Sequence, residues 1–194
     1  GVSSSGTTLL RNILWAHARC YSTHETGFFS AEYRSERWTS IVRSNMETIG
    51  AQRPELPKSC AEYTTSYILK LSEEYEHRRD FVDAYFRQLR KYNQGRIWVE
   101  KTPSHLCRLP EIKADFPESR VVCLTRDPLY NVVSLNRRKW FTRDFQNACS
   151  RWNESIQCYL ENTKHIDWCI AYEWLCTDGE TAVRQLFEVL ELPY

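Results

Sequence analysis

The chain has 194 residues, with 26 Lys and Arg against 25 Asp and Glu and a formal net charge of +1. That length fits a single domain, residues 1–194, with room for a substantial core, and the even charge balance excludes the global basic field of a nonspecific nucleic-acid binder. No apolar run approaches the roughly 20 residues of a membrane span, no secretory leader opens the segment, and the eight cysteines form no CxxC or other metal-ligand spacing, so neither a membrane span nor a metal is expected here.

The chain opens on Gly1-Val2-Ser3-Ser4-Ser5-Gly6-Thr7-Thr8, the spacing of a phosphate-binding loop, with Thr7 where nucleotide triphosphatases of this type carry lysine. A glycine-rich turn feeding a helix gathers unpaired backbone N–H groups at the positive end of the helix dipole and binds an anion without any side chain. Without the lysine, triphosphate cleavage loses one of its usual parts, so the loop reads as a mononucleotide carrier. The alternative is a plain serine-rich turn. Such a loop normally follows a buried strand, and the expectation is a fragment beginning at the phosphate loop.

Leu9, Leu10, Ile13, Leu14 and His17 then recur at helical spacing. Residues Thr26 to Tyr67 are polar and aromatic, interrupted by Pro54 and Pro57, and read as loop with short helix. Ser72 to Tyr92 has the pattern of one amphipathic helix. Arg96 to Glu100 reads as a strand ending in Lys101-Thr102-Pro103, and Leu106 to Ala114 as a helix. Arg120 to Thr125 is a clearer buried strand, stopping at Arg126-Asp127-Pro128 and turning into a helix. A tryptophan-rich helical stretch runs to about Asn162, Ile166 to Tyr172 alternates like a strand, and Gly179 to Leu190 closes as a helix. Strands alternating with helices predict an α/β fold of three layers, a central parallel sheet flanked by helices. In open sheets of this kind ligands bind beyond the carboxyl ends of the strands, where Gly1, Lys101 and Arg126 all fall.

Arg126 follows a strand directly, Ser134 lies in the next helix, and Arg138 is one turn beyond Ser134 on the same face. Two guanidiniums and a hydroxyl around one point would make a second phosphate site suited to bidentate pairing; the alternative is a surface turn pair and a solvated arginine. Two phosphate sites on one sheet suggest a nucleotide phosphorylated at both ends of its ribose.

At this point the sequence resembles the sulfotransferases that use 3'-phosphoadenosine 5'-phosphosulfate. Gly1 to Leu9 is similar to their first signature apart from Ser4, Arg126, Asp127, Pro128 and Ser134 resemble the second, and Glu100-Lys101-Thr102-Pro103 and Tyr172-Glu173-x-Leu175 supply two more pieces in the same order. Within that family, Ala16-His17 through Glu25-Thr26 looks most like the protein-tyrosine sulfotransferases. The resemblance implies a P-loop fold and transfer of a sulfonate to an acceptor hydroxyl on a protein tyrosine, carbohydrate or small alcohol, without a metal. It implies Glu25 as general base and Lys101 as the cation that neutralises charge on the leaving phosphate. Ser4, Ser5, Gly6, Thr7 and Thr8 would hold the 5'-phosphate, Arg126, Ser134 and Arg138 the 3'-phosphate, and Tyr172 the adenine. His105 is an alternative base, read more simply as a structural histidine. Cys123 reads as an inert core thiol.

The family carries arginine or lysine where this chain has Ser4. Either another cation, such as Arg11 or Lys101, takes that role, or the protein is a catalytically impaired nucleotide-binding relative; a P-loop kinase is the third reading. The tyrosine-type resemblance, the cysteines and the sequon Asn153-Glu154-Ser155 lean toward the Golgi lumen. Acceptor identity and oligomeric state are left open.

Overall fold

The structure, a computed structural model, describes residues 1–23, 25–52, 65–90, 97–138 and 144–194. In chain order the elements are α1 (Thr7–Ala16), β1 (Cys20–Ser22), α2 (Glu36–Gln52), α3 (Thr65–Glu73), α4 (Arg78–Leu89) and β2 (Ile97–Val99). A 3-10 turn (Pro103–Arg108) follows, then α5 (Leu109–Asp115), β3 (Val122–Thr125), α6 (Pro128–Asn136), α7 (Phe145–Glu161), β4 (Trp168–Ala171), α8 (Tyr172–Thr177) and α9 (Gly179–Val189). The chain divides into two compact units, Gly1–Ile13 with Leu106–Tyr194 as unit 1 and Leu14–His105 as unit 2. No helix among the described residues is long and apolar enough to cross a membrane.

The fold is mixed α/β with parallel strand pairing. The described strands pair in two-stranded parallel ladders, β1 with β2 in unit 2 and β3 with β4 in unit 1. Strands of three or four residues give ladders of only a few rungs, so packing against helices supplies most of their stability.

Unit 2 is built on aromatic rings. Phe28, Trp38, Phe81, Tyr85 and Phe86 are almost wholly buried. Phe28 meets Phe81 and Tyr85 edge-on at 4.9 and 5.0 Å, and Phe86 stacks on Trp98 of β2 at 4.2 Å. These are the offset and T-shaped geometries that a ring quadrupole favours. The polar ends are satisfied: Trp38 Nε1 donates to the Phe28 carbonyl at 3.0 Å and the Tyr21 hydroxyl to the Phe86 carbonyl at 2.9 Å. Phe28 thereby anchors the segment that follows Glu25.

The sequence expectations for this unit need three corrections. The stretch read as loop and short helix contains the 17-residue helix α2, whose Trp38 and Val42, one turn apart, both face the core. Pro54 and Pro57 lie outside the described residues. The single helix read from Ser72 is two helices, broken between Glu73 and Arg78, and Tyr92 lies outside the described residues, as does Arg96 at the start of the strand. The strand β1 was not expected.

In unit 1, β3 and β4 pair with Val122 opposite Trp168 and Thr125 opposite Ala171. Leu106, Leu109 and Cys123 form one apolar cluster with Ile112, Val121, Cys158, Tyr159 and Ile166 against it; Val132, Leu135 and Ala148 form another between α6 and α7. A disulfide joins Cys107 to Cys158. Cys60 lies outside the described residues. Helix α6 starts as its sequence predicts, with Asp127 Oδ1 accepting from Tyr130 N–H at 3.1 Å and Pro128 as first helical residue, where a missing N–H costs nothing.

Candidate functional site

The candidate residues fall into two groups, one in each unit. In unit 1 the loop from Gly1 makes a tight turn: Ser5 Oγ donates to the Val2 carbonyl at 2.7 Å, and the Ser5 N–H bonds the same carbonyl at 3.2 Å. Ser5 is therefore a structural member of the turn, and its amide, expected to meet a phosphate, is already engaged. The amides of Gly6, Thr7 and Thr8 have no acceptor among the described residues, as the first turn of α1 dictates. They stand at the positive end of the helix dipole.

Gly6 has φ +102°, and a Cβ there would meet Tyr172 Cδ2 at 2.3 Å. Only glycine lets the turn close against that ring. Tyr172, expected at the end of a strand to receive adenine, is instead the first residue of α8, and the Arg126 guanidinium lies over its ring at 4.4 Å. A cation on the π face holds the guanidinium in place.

Arg126 Nη1 donates to the Ser4 carbonyl at 3.0 Å, and Arg138 Nε donates to the Ser4 hydroxyl at 3.1 Å. Both cations thus reach the Gly1 loop itself instead of standing apart from it. Ser4 has φ +66°, the left-handed conformation, which turns its carbonyl and side chain to the two arginines. Ser134 is half-buried, and its hydroxyl has no partner among the described residues. Arg11, one candidate for the missing loop cation, is buried with its guanidinium on Asn12 Oδ1 at 2.8 Å. The cations that reach Ser4 are Arg126, at its carbonyl, and Arg138, at its hydroxyl.

In unit 2, two segments lie side by side and are bonded nearly residue for residue. The Glu25 carboxylate pairs with Lys101 Nζ, with Glu25 44% and Lys101 13% exposed. Thr26 N–H and Oγ1 donate to Glu100 Oε1 at 3.2 and 2.9 Å. Gly27 N–H donates to Thr102 Oγ1 at 3.2 Å, and Thr102 Oγ1 in turn donates to Glu100 Oε1 at 2.7 Å. Phe29 N–H donates to His105 Nε2 at 3.2 Å, while His105 Nδ1 meets Glu100 Oε2 at 2.8 Å. Ser30 and Ser104 share a hydroxyl contact at 2.7 Å.

The His105 ring is 6% exposed. A proton on Nδ1 and a lone pair on Nε2 satisfy both its contacts, which leaves no nitrogen for an acceptor. Both nitrogens are engaged within the fold, the arrangement of a structural histidine. Burial pushes the Glu100 carboxyl up, but its contact with His105, with the hydrogen bonds from the hydroxyls of Thr102 and Thr26, more than offsets this and holds it at about 2. Glu100, Thr26 and Thr102 are neighbours of the pair to which sequence reasoning gave no role, whereas His105 was already read as a structural histidine. The Glu-Lys-Thr-Pro run was noticed, yet only its lysine received a role.

The family model described as the sulfotransferase family matches residues 1–194. The chain belongs to the sulfotransferase family. No curated protein matches the chain. Among solved structures, a sulfotransferase domain from the curacin biosynthetic pathway superposes with a TM-score of 0.73 at 19% identity, over 100% of this chain and 72% of that one. A sulfotransferase domain from the Synechococcus PCC 7002 olefin synthase does so with a TM-score of 0.60 at 18% identity, with the same shares covered. At these identities the likeness is one of fold. Among the described residues of this sulfotransferase, no group of three or more His, Cys, Asp or Glu is placed to hold a metal.

Proposed function

We propose that this sulfotransferase moves a sulfonate from 3'-phosphoadenosine 5'-phosphosulfate to an acceptor hydroxyl by in-line displacement. The observation that carries the reading is the convergence on one turn of three unpaired amides, Gly6 to Thr8, and two guanidiniums, Arg126 and Arg138. A loop so furnished binds a dianion, and Arg138 brings charge to the position where Ser4 has none. Ser134 lies in α6 between the two arginines, and its hydroxyl adds a donor for the 3'-phosphate. Tyr172 offers adenine the edge and face that Arg126 leaves.

On the acceptor side, Glu25 takes the hydroxyl proton as that oxygen attacks sulfur. Lys101 neutralises charge growing on the leaving phosphate oxygen, stabilisation realised only in the transition state. Their ion pair is the resting form, and Glu25 is exposed enough to exchange its lysine for an acceptor hydroxyl. The Glu100 network fixes the backbone on both sides of that pair and so sets its geometry. The acceptor is a hydroxyl on protein tyrosine, carbohydrate or a small alcohol. The Cys107–Cys158 disulfide supports an oxidising compartment such as the Golgi lumen, and Asn153 of the sequon is exposed on α7.

The test is calorimetry with 3'-phosphoadenosine 5'-phosphate and AMP, followed by labelled-donor transfer to peptide, glycan and alcohol pools. The bisphosphate should bind far more tightly than AMP, and Arg126→Ala should remove most of that preference. Equal affinities in the wild type would overturn the donor assignment. Selective binding without transfer to any pool would favour the impaired, nucleotide-binding relative that Ser4 suggests.

A further inference from the structure

Cys123 and Cys169 are directly opposed in the parallel ladder of β3 and β4. Neighbouring strands lie about 4.8 Å apart, inside the Cα separation of about 4.4–6.8 Å that a disulfide spans. Period-two alternation puts both side chains on the same face of the ladder, and the hydroxyl of Tyr159, from α7, reaches Cys169 Sγ on that face at 3.8 Å. The two differ in access: Cys123 is 2% exposed, whereas Cys169 is open to solvent. Cys123 also borders a cavity of about 20 Å³ shared with Leu106, Thr125 and Tyr159, which gives its side chain room to turn.

We propose that Cys123 and Cys169 form a redox-active dithiol site that closes to a disulfide under a small-molecule disulfide such as oxidised glutathione. Cys169 attacks first because it is the accessible sulfur. The hydrogen bond from Cys123 lowers its pKa, against the burial that raises it, with the Tyr159 and Thr125 hydroxyls adding to the lowering. The same bond and its burial raise Cys123, which keeps its proton until the second step.

In the first step the Cys169 thiolate forms a bond to one glutathione sulfur and the other leaves as thiolate. In the second, Cys123 passes its proton to that thiolate and attacks the Cys169 sulfur, expelling the second glutathione. Two protein thiols are oxidised by two electrons, and one glutathione disulfide is reduced to two glutathione thiols. The bridge ties β3 to β4 three residues before Arg126 and three before Tyr172, the pair stacked at 4.4 Å. The proposal is independent of the sulfonate-transfer reading.

The experiment treats the whole protein with oxidised glutathione, blocks remaining thiols with an alkylating agent and maps cysteines by peptide mass spectrometry. The expected result is a Cys123–Cys169 linked peptide, reversed by phosphine, with loss of both free thiols. Cys169→Ser should leave Cys123 free, and Cys123→Ala, which removes the sulfur without burying a hydroxyl, should trap glutathione on Cys169. Three results would each overturn the proposal: a stable glutathione adduct on wild-type Cys169 with Cys123 free, both thiols intact while exposed Cys176 reacts, or Cys123 linked to Cys107 or Cys158.

Discussion

The Glu100 carboxylate receives four contacts from three residues, Thr26, Thr102 and His105, of which Thr26 directly follows Glu25 and Thr102 directly follows Lys101. Its pKa of about 2 lies below the ordinary 4.5. Folding therefore favours the charged form, so its stabilisation is fully present above pH 4.5 and is lost as pH falls toward 2; the whole is about 3 kcal/mol. Urea unfolding across that range should show wild-type stability falling more steeply than that of Glu100→Gln, and parallel curves would remove the electrostatic account. In the transfer assay Glu25→Gln should abolish turnover with donor affinity nearly unchanged, because a base acts on the acceptor; normal turnover would place the base elsewhere. Arg138→Ala should slow single-turnover transfer on the order of 100-fold, the usual effect of deleting one charge stabiliser. Ser4→Arg in that background should restore part of the loss. Sequence spacing made Arg126 and Arg138 legible as a pair, although α6 ends at Asn136 and leaves Arg138 just past the helix instead of on its face. Their meeting with Ser4 was not, because the contacts join residues 122 and 134 positions apart.

At the scale of elements, legibility followed the strength of the local signal. Asp127-Pro128 announces α6 through a capping carboxylate and a residue pre-set for the first helical position, and the structure begins the helix there. Removing the cap with Asp127→Ala should cost about 1 kcal/mol, read as a lower denaturation midpoint, whereas Asp127→Asn should cost much less. Helix α2 was hidden because, among its described side chains, only Trp38 and Val42 are buried and Pro54 and Pro57 follow closely in the sequence. The break between α3 and α4 was hidden for the opposite reason: Tyr75, Phe81, Val82 and Tyr85 keep apolar spacing across it, and tertiary packing overrides the pattern. Strand β1 has three residues, all buried, so no alternation of apolar and polar side chains marks it.

For the molecule as a whole, the parallel α/β character was legible from alternating strands and helices, and which strands pair was not, since pairing joins residues distant in sequence. The Cys107–Cys158 disulfide closes a separation of 51 residues, a loop long enough for cross-linking to stabilise unit 1 by about 4 kcal/mol through the unfolded chain. Cys158→Ser should lower the unfolding midpoint of unit 1, and a reductant should produce the same drop in wild type but none in the variant. Unchanged midpoints would mean that the unfolded chain is already held compact there.

The division of the chain also orders its assembly in time. Unit 2 is one continuous stretch, Leu14–His105, whereas unit 1 joins Gly1–Ile13 to Leu106–Tyr194. Closing a long loop costs entropy before its contacts repay it, and the Ser4–Arg126 contact spans 122 positions, so it is expected to form late. The Gly1 turn, first along the sequence, is thus expected among the last parts to mature. A refolding chain should regain its helical signal and its aromatic core before it regains affinity for a bisphosphorylated nucleotide.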